Sequence, residues 1–103
     1  MGTLFYGNAV IGFSFADRAL HHLQIVITTK LRRGEAFVFS WNDSLDVGGG
    51  RSTIWLSPST LIHYRYLGSR VPIVNREWVQ TLMVSANSPG GMLLTPEPTP
   101  VVG

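Results

Sequence analysis

The stretch GGGRST, Gly48–Thr53, groups the residues of this sequence best suited to holding an anion. Consecutive glycines let backbone N–H groups converge on negative charge, and Arg51, Ser52 and Thr53 would add donors. Gly48, Gly49, Gly50 and Ser52 are therefore a candidate anion loop. The spacing is not that of a Walker loop, because no glycine–lysine pair follows and the next element reads as a strand. A plain hairpin loop explains the same residues without a ligand. Asp43 and Asp46, with Asn42 and Ser44, offer oxygens for a cation but lack the glutamate and spacing of an EF-hand loop. Turn chemistry accounts for them. His21 and His22 are adjacent on a helix and point about 100° apart, which ill suits one metal. With His63 they make no metal-ligand spacing. No serine, histidine and acid are arranged as a triad. The expectation is a non-enzymatic protein with no cofactor and no metal.

A second set of residues points to binding. All the basic residues except Lys30 are arginines: Arg18, Arg32, Arg33, Arg51, Arg65, Arg70 and Arg76. Arginine forms planar, bidentate contacts with phosphate or carboxylate. Lys30, Arg32 and Arg33 crowd the end of a helix, where the helix dipole already explains positive charge. Arg65 has no such explanation, since it falls in mid-strand opposite the core-facing positions. Trp55, His63 and Arg65 are expected together on the sheet face away from the helices, with Arg51 at the rim. An open sheet bearing an aromatic, a histidine and an arginine suits stacked single-stranded bases. It suits a protein interface as well, where tryptophan and arginine are enriched.

The elements that would position these residues follow from local pattern. Thr3–Tyr6 and Val10–Phe15 read as a hairpin about the turn Gly7-Asn8. Asp17 is the expected cap of a first helix. Ala16, Leu20, Leu23, Ile27 and Leu31 form its apolar stripe, and Gly34 ends it. Strands follow over Ala36–Trp41, Ser52–Ser57 and Leu61–Leu67. Phe37, Phe39, Trp41, Ile54, Leu56, Ile62 and Tyr64 are assigned to the core face. Asn75 is the expected cap of a second helix with the stripe Trp78, Val79, Leu82, Met83 and Ala86. SANSPGG stops that helix, and Met92–Leu94 makes a last strand. The order is β-β-α-β-β-β-α-β. The simplest architecture is an α+β domain with a mostly antiparallel sheet and two helices packed on one face.

The chain has 103 residues, enough for one domain. Residues 1–94 are assigned to that domain. Residues 95–103, TPEPTPVVG, are assigned to a disordered proline-rich tail whose removal from Glu97 onward should leave thermal stability nearly unchanged. Only 14% of residues are charged, where about a quarter is usual. Such a chain can keep apolar surface for a partner or a second copy of itself. With no cysteine, disulfides and thiolate chemistry are excluded. No run of about 18 apolar residues exists to span a membrane. The opening residues lack the pattern of a signal peptide. The expectation is a cytoplasmic homo-oligomer or partner-binding protein. The alternative is a nucleic-acid-binding accessory module.

The segments MGTLFYG, TKLRRGE, FSW, GGGRSTIWLSPS, GSRVP, NREW, SANSPGG and LTPEP cover most of residues 1–98. In them the chain resembles a family of short actinobacterial and actinobacteriophage proteins built on a domain of unknown function. The family often carries a histidine at the position of Ser57, which weakens any catalytic role there. Its members are often labelled ATP-dependent DNA ligase. A ligase of that kind needs a lysine nucleophile in a Lys-x-Asp-Gly setting, whereas Lys30 is followed by Leu31, Arg32 and Arg33. The resemblance therefore implies at most a DNA-contacting or accessory role.

Overall fold

A computed structural model describes residues 1–8, 11–43 and 48–99. The elements are β1 (Gly2–Tyr6), β2 (Ile11–Phe15), α1 (Asp17–Arg32), β3 (Phe37–Asn42), β4 (Arg51–Leu56), β5 (Ile62–Arg65), α2 (Arg76–Ala86) and β6 (Met92–Leu93). The class is α+β, and the element order is the one the sequence pattern predicts. The strands do not form one continuous sheet. They make two three-stranded sheets, β2-β1-β5 and β4-β3-β6. All pairings are antiparallel except β3 with β6. The chain leaves one sheet after β4 and enters the other at β5, a crossover that local alternation cannot reveal.

The inner faces are those the alternation predicts. Phe37, Phe39, Trp41, Ile54 and Leu56 are buried, with Leu4 and Phe15 from the other sheet. Ile62 and Tyr64 pack partly buried against them. The sheets meet through aromatic edges: Phe13 lies 4.8 Å and Phe15 5.3 Å from the Trp41 ring. A second tie is the Tyr6 hydroxyl, which donates to the Trp55 carbonyl at 2.5 Å. Helix α1 rests on β1 and α2 on β3 and β6, and the helices touch each other. Leu20, Leu23, Val26 and Ile27 of α1 and Trp78, Leu82 and Ala86 of α2 complete the core.

The ends of α1 differ from expectation at one residue. Asp17 does not cap the helix; the cap position is Ala16, which is exposed and makes no side-chain bond. The Asp17 carboxylate instead accepts from the backbone N–H groups of Leu67 and Gly68, at 3.1 and 2.9 Å. A short acidic side chain serves any nearby orphan donor, and here a loop supplies better ones than the helix. Gly34 does take the left-handed conformation, φ 76°. Asn75 caps α2 as expected, accepting from the N–H groups of Glu77 and Trp78.

Lys30 was assigned to the dipole at the end of α1, yet it is only 4% exposed. Its ammonium donates to Asn87 Oδ1 at 2.7 Å and lies 3.6 Å from Glu35. Asn87 is the residue that ends α2. One charge thus sits between the negative ends of both helices, which explains a lysine this deep.

The segment expected to be a free tail lies against the helices through Pro98. Glu97 accepts from Arg18 Nε and Nη2 at 2.6 and 2.7 Å and from Asn75 Nδ2 at 2.9 Å. The Trp78 indole donates to Thr95 O, and Asn75 Nδ2 donates to Pro98 O. Proline-rich sequence cannot fold alone, but its exposed carbonyls and a single carboxylate suffice for docking. Residues 100–103 lie outside the described residues.

Candidate binding surfaces

Helices cover one side of each sheet, so each sheet has an outer face. On β4 the outward positions are Arg51, Thr53 and Trp55. Trp55 is 56% exposed and lies opposite Val38 on β3, while Arg51 lies opposite Asn42. Between them Ser40 and Thr53 share a hydroxyl–hydroxyl bond of 2.9 Å. Leu93 on β6, beside Ser40, is 48% exposed. Trp55, Val38 and Leu93 make the apolar part of this face, and Arg51 marks its polar end.

His63 and Arg65 belong to the other sheet. On β5 they alternate with the inward Ile62 and Tyr64. Across the ladder His63 pairs with Phe5 and Arg65 with Thr3. The expected single platform of Trp55, His63 and Arg65 is therefore divided between two sheets. The sequence reading missed Phe5, Val38 and Leu93. Phe5 sits between Leu4 and Tyr6, so alternation alone does not say which of these apolar residues faces out. Its pairing with His63 is a long-range contact with no local signal.

The glycine loop is occupied by its own side chains. Gly48 and Gly49 have φ of 104° and 68°. Ser52 donates to the Asp43 carboxylate at 2.9–3.0 Å, and the Asp43 N–H donates to Gly50 O at 2.6 Å. An anion at Gly48, Gly49, Gly50 and Ser52 would meet the Asp43 charge and compete for the Ser52 hydroxyl. Asp46 and Ser44, the other members of the candidate cation loop, lie outside the described residues. Among the described residues no group of three or more His, Cys, Asp or Glu could hold a metal ion.

Displaced proton affinities fall on structural contacts. Hydrogen bonds from Arg18 and Asn75 hold the Glu97 carboxyl down at about 2. Backbone N–H groups of Gly68 and Leu67 lower Asp17. Burial raises the Tyr64 and Tyr66 phenols, the latter to about 12, and burial also lowers His21. None of these groups is on the two outer faces.

The fold is a small α+β domain with one outer face on each sheet, one bearing Trp55, Val38 and Leu93 and the other Phe5, His63 and Arg65. The chain belongs to the family of the domain of unknown function DUF7882, whose profile matches residues 1–97. The matched span includes Glu97 and so the whole Arg18 contact. No curated protein and no solved structure matches the chain. Among the described residues no helix is long and apolar enough to cross a membrane.

Proposed function

We propose that this domain is a non-enzymatic interaction module that self-associates through the outer face of the β4-β3-β6 sheet. The observation that carries this reading is Trp55, more than half exposed on a face shared with Val38 and Leu93. A large ring in that position leaves apolar area in water, at a cost of roughly 25 cal/mol per Å2. A second copy covers it, because a two-fold contact sets the same patch against itself. Among the described outward positions of β3, β4 and β6 the one charge is Arg51, at one end. Like-charge repulsion across the symmetry axis is therefore small.

Sedimentation over a range of protein concentrations tests this reading. The wild type should form dimers that persist or tighten as salt rises. Trp55→Ser should sediment as a monomer that keeps the wild-type circular dichroism spectrum. A wild type that stays monomeric at every concentration, or a Trp55→Ser variant that still dimerises, overturns it.

A further inference from the structure

We propose that the outer face of the β2-β1-β5 sheet binds single-stranded nucleic acid, with Phe5 and His63 stacking on bases and Arg65 holding phosphate. The proposal stands apart from self-association, because it uses the other sheet.

Strand alternation fixes the composition of this face. Leu4, Phe13, Phe15, Ile62 and Tyr64 turn inward to the core. Thr3, Phe5, Gly12, Ser14, His63 and Arg65 turn outward, paired across the ladders as Phe5 with Gly12 and His63, and Thr3 with Ser14 and Arg65. These outward positions carry no carboxylate and no long aliphatic side chain. They offer rings, small hydroxyls and one guanidinium.

The rings lie across the sheet. Phe5 and His63 have centroids 5.3 Å apart and planes tilted by 34°. Gly12 gives the Phe5 ring room. A Cβ there would sit 3.3 Å from the Phe5 ring and 3.0 Å from Thr3. Without it the ring settles over bare backbone. A shallow cleft of about 410 Å3 opens beside the pair, lined by Phe5, Gly7, Leu61, Ile62, His63 and Arg65. Its volume is that of a small-ligand site, and it is open to solvent.

Arg65 stands two residues from His63 on the same face, about 7 Å along the strand. Among the described residues it makes no ion pair. A free guanidinium beside two rings, on a face without acids, is complementary to an anionic polymer with planar groups. Stacking on the half-buried Phe5 and the exposed His63 requires bases that are already unstacked, which selects single strands over duplex. Leu61, 61% exposed, adds apolar area beside the rings, but the acid-free face and the unpaired Arg65 favour an anionic polymer over an apolar protein surface.

Fluorescence anisotropy with a labelled oligothymidylate and the full chain tests the proposal. At low salt the wild type should bind, and affinity should fall linearly on a log–log plot as salt rises. Phe5→Leu keeps an apolar side chain and removes the ring; it should weaken binding roughly 5- to 150-fold, the usual cost of losing one stacked base. Arg65→Gln should reduce the salt slope by about 0.7, the share of one phosphate contact on a single strand. Trp55→Ser, on the other sheet, should bind as the wild type does. Should Phe5→Leu melt early, His63→Ala reads the same stack without touching β1. No binding at low salt overturns the proposal. So does binding that these variants leave unchanged, or competition by duplex DNA as strong as by single strands. A change in sedimentation with Phe5→Leu and Arg65→Gln, without loss of oligonucleotide binding, makes the face a protein contact instead.

Discussion

Arg18 reaches two distant segments with one guanidinium. Two of its nitrogens donate to Glu97, and the third donates to Ile73 O at 2.9 Å. Bidentate geometry of this kind is stronger than an ordinary surface pair. Its signature is a pH dependence. The Glu97 carboxyl, ordinarily at 4.5, is held at about 2 in the folded chain, chiefly by the Arg18 hydrogen bonds. A depressed carboxyl stabilises the fold fully above its unfolded value, and the effect is lost as pH falls through the folded value. Glu97→Gln should therefore melt below the wild type at neutral pH. The two melting temperatures should converge as pH falls from about 4.5 to about 2, as thermal unfolding across that range would show. His22 makes a second residue-scale case. It is fully buried, its Nδ1 is 2.7 Å from Arg18 O, and its Nε2 accepts from the Asn75 N–H at 2.8 Å. These partners require the proton on Nδ1. His22→Leu would strand the Asn75 N–H inside the protein, and chemical denaturation should register a loss of about 1–3 kcal/mol.

At the level of elements, α2 is specified twice over. Asn75 closes its first turn, and Leu82, with no exposed surface, anchors its stripe. Leu82→Ala should cost about 2–5 kcal/mol in denaturant unfolding, the usual result of emptying a core site. Asn75→Ala should cost about 1 kcal/mol for the lost cap, and more to the extent that Glu97 and Pro98 lose their amide donor. The faces of both helices and of β3, β4 and β5 were legible in the sequence, because side-chain period is a local property of the chain. The sheet pairing was not. Nothing in Leu61–Leu67 says that it joins β1 instead of β4, since that pairing is between segments far apart in the sequence. Asp17 and Thr95–Pro98 were misread for the same reason: their partners are distant in sequence and leave no trace in neighbouring residues. On the candidate surfaces, Arg51, Trp55, His63 and Arg65 were identified as outward-facing, but Phe5 needed its ladder partner to be recognised.

For the whole molecule, the docked segment makes truncation informative. Removing residues after Thr99 should leave the melting temperature unchanged. Ending the chain at Thr95 should lower it by at least as much as Glu97→Gln, since the same carboxylate and the Pro98 carbonyl are both lost. Circular dichroism melts of the two truncations would decide the point, and equal values would mean that the Glu97 contact adds nothing to stability. The interleaving of the strands has a further effect, on biosynthesis. β1 must wait for β5 before its sheet is complete, and β3 must wait for β6. Each sheet thus closes over most of the chain, and contacts this far apart in sequence form slowly. An emerging polypeptide that has produced α1 and the β3-β4 hairpin still lacks an edge strand in each sheet and the cover supplied by α2. The β3 strand then lacks the α2 helix that packs on it. Neither sheet can close on the first half of the chain, so the hydrophobic interior is expected to stay open to chaperones until translation has passed Leu93.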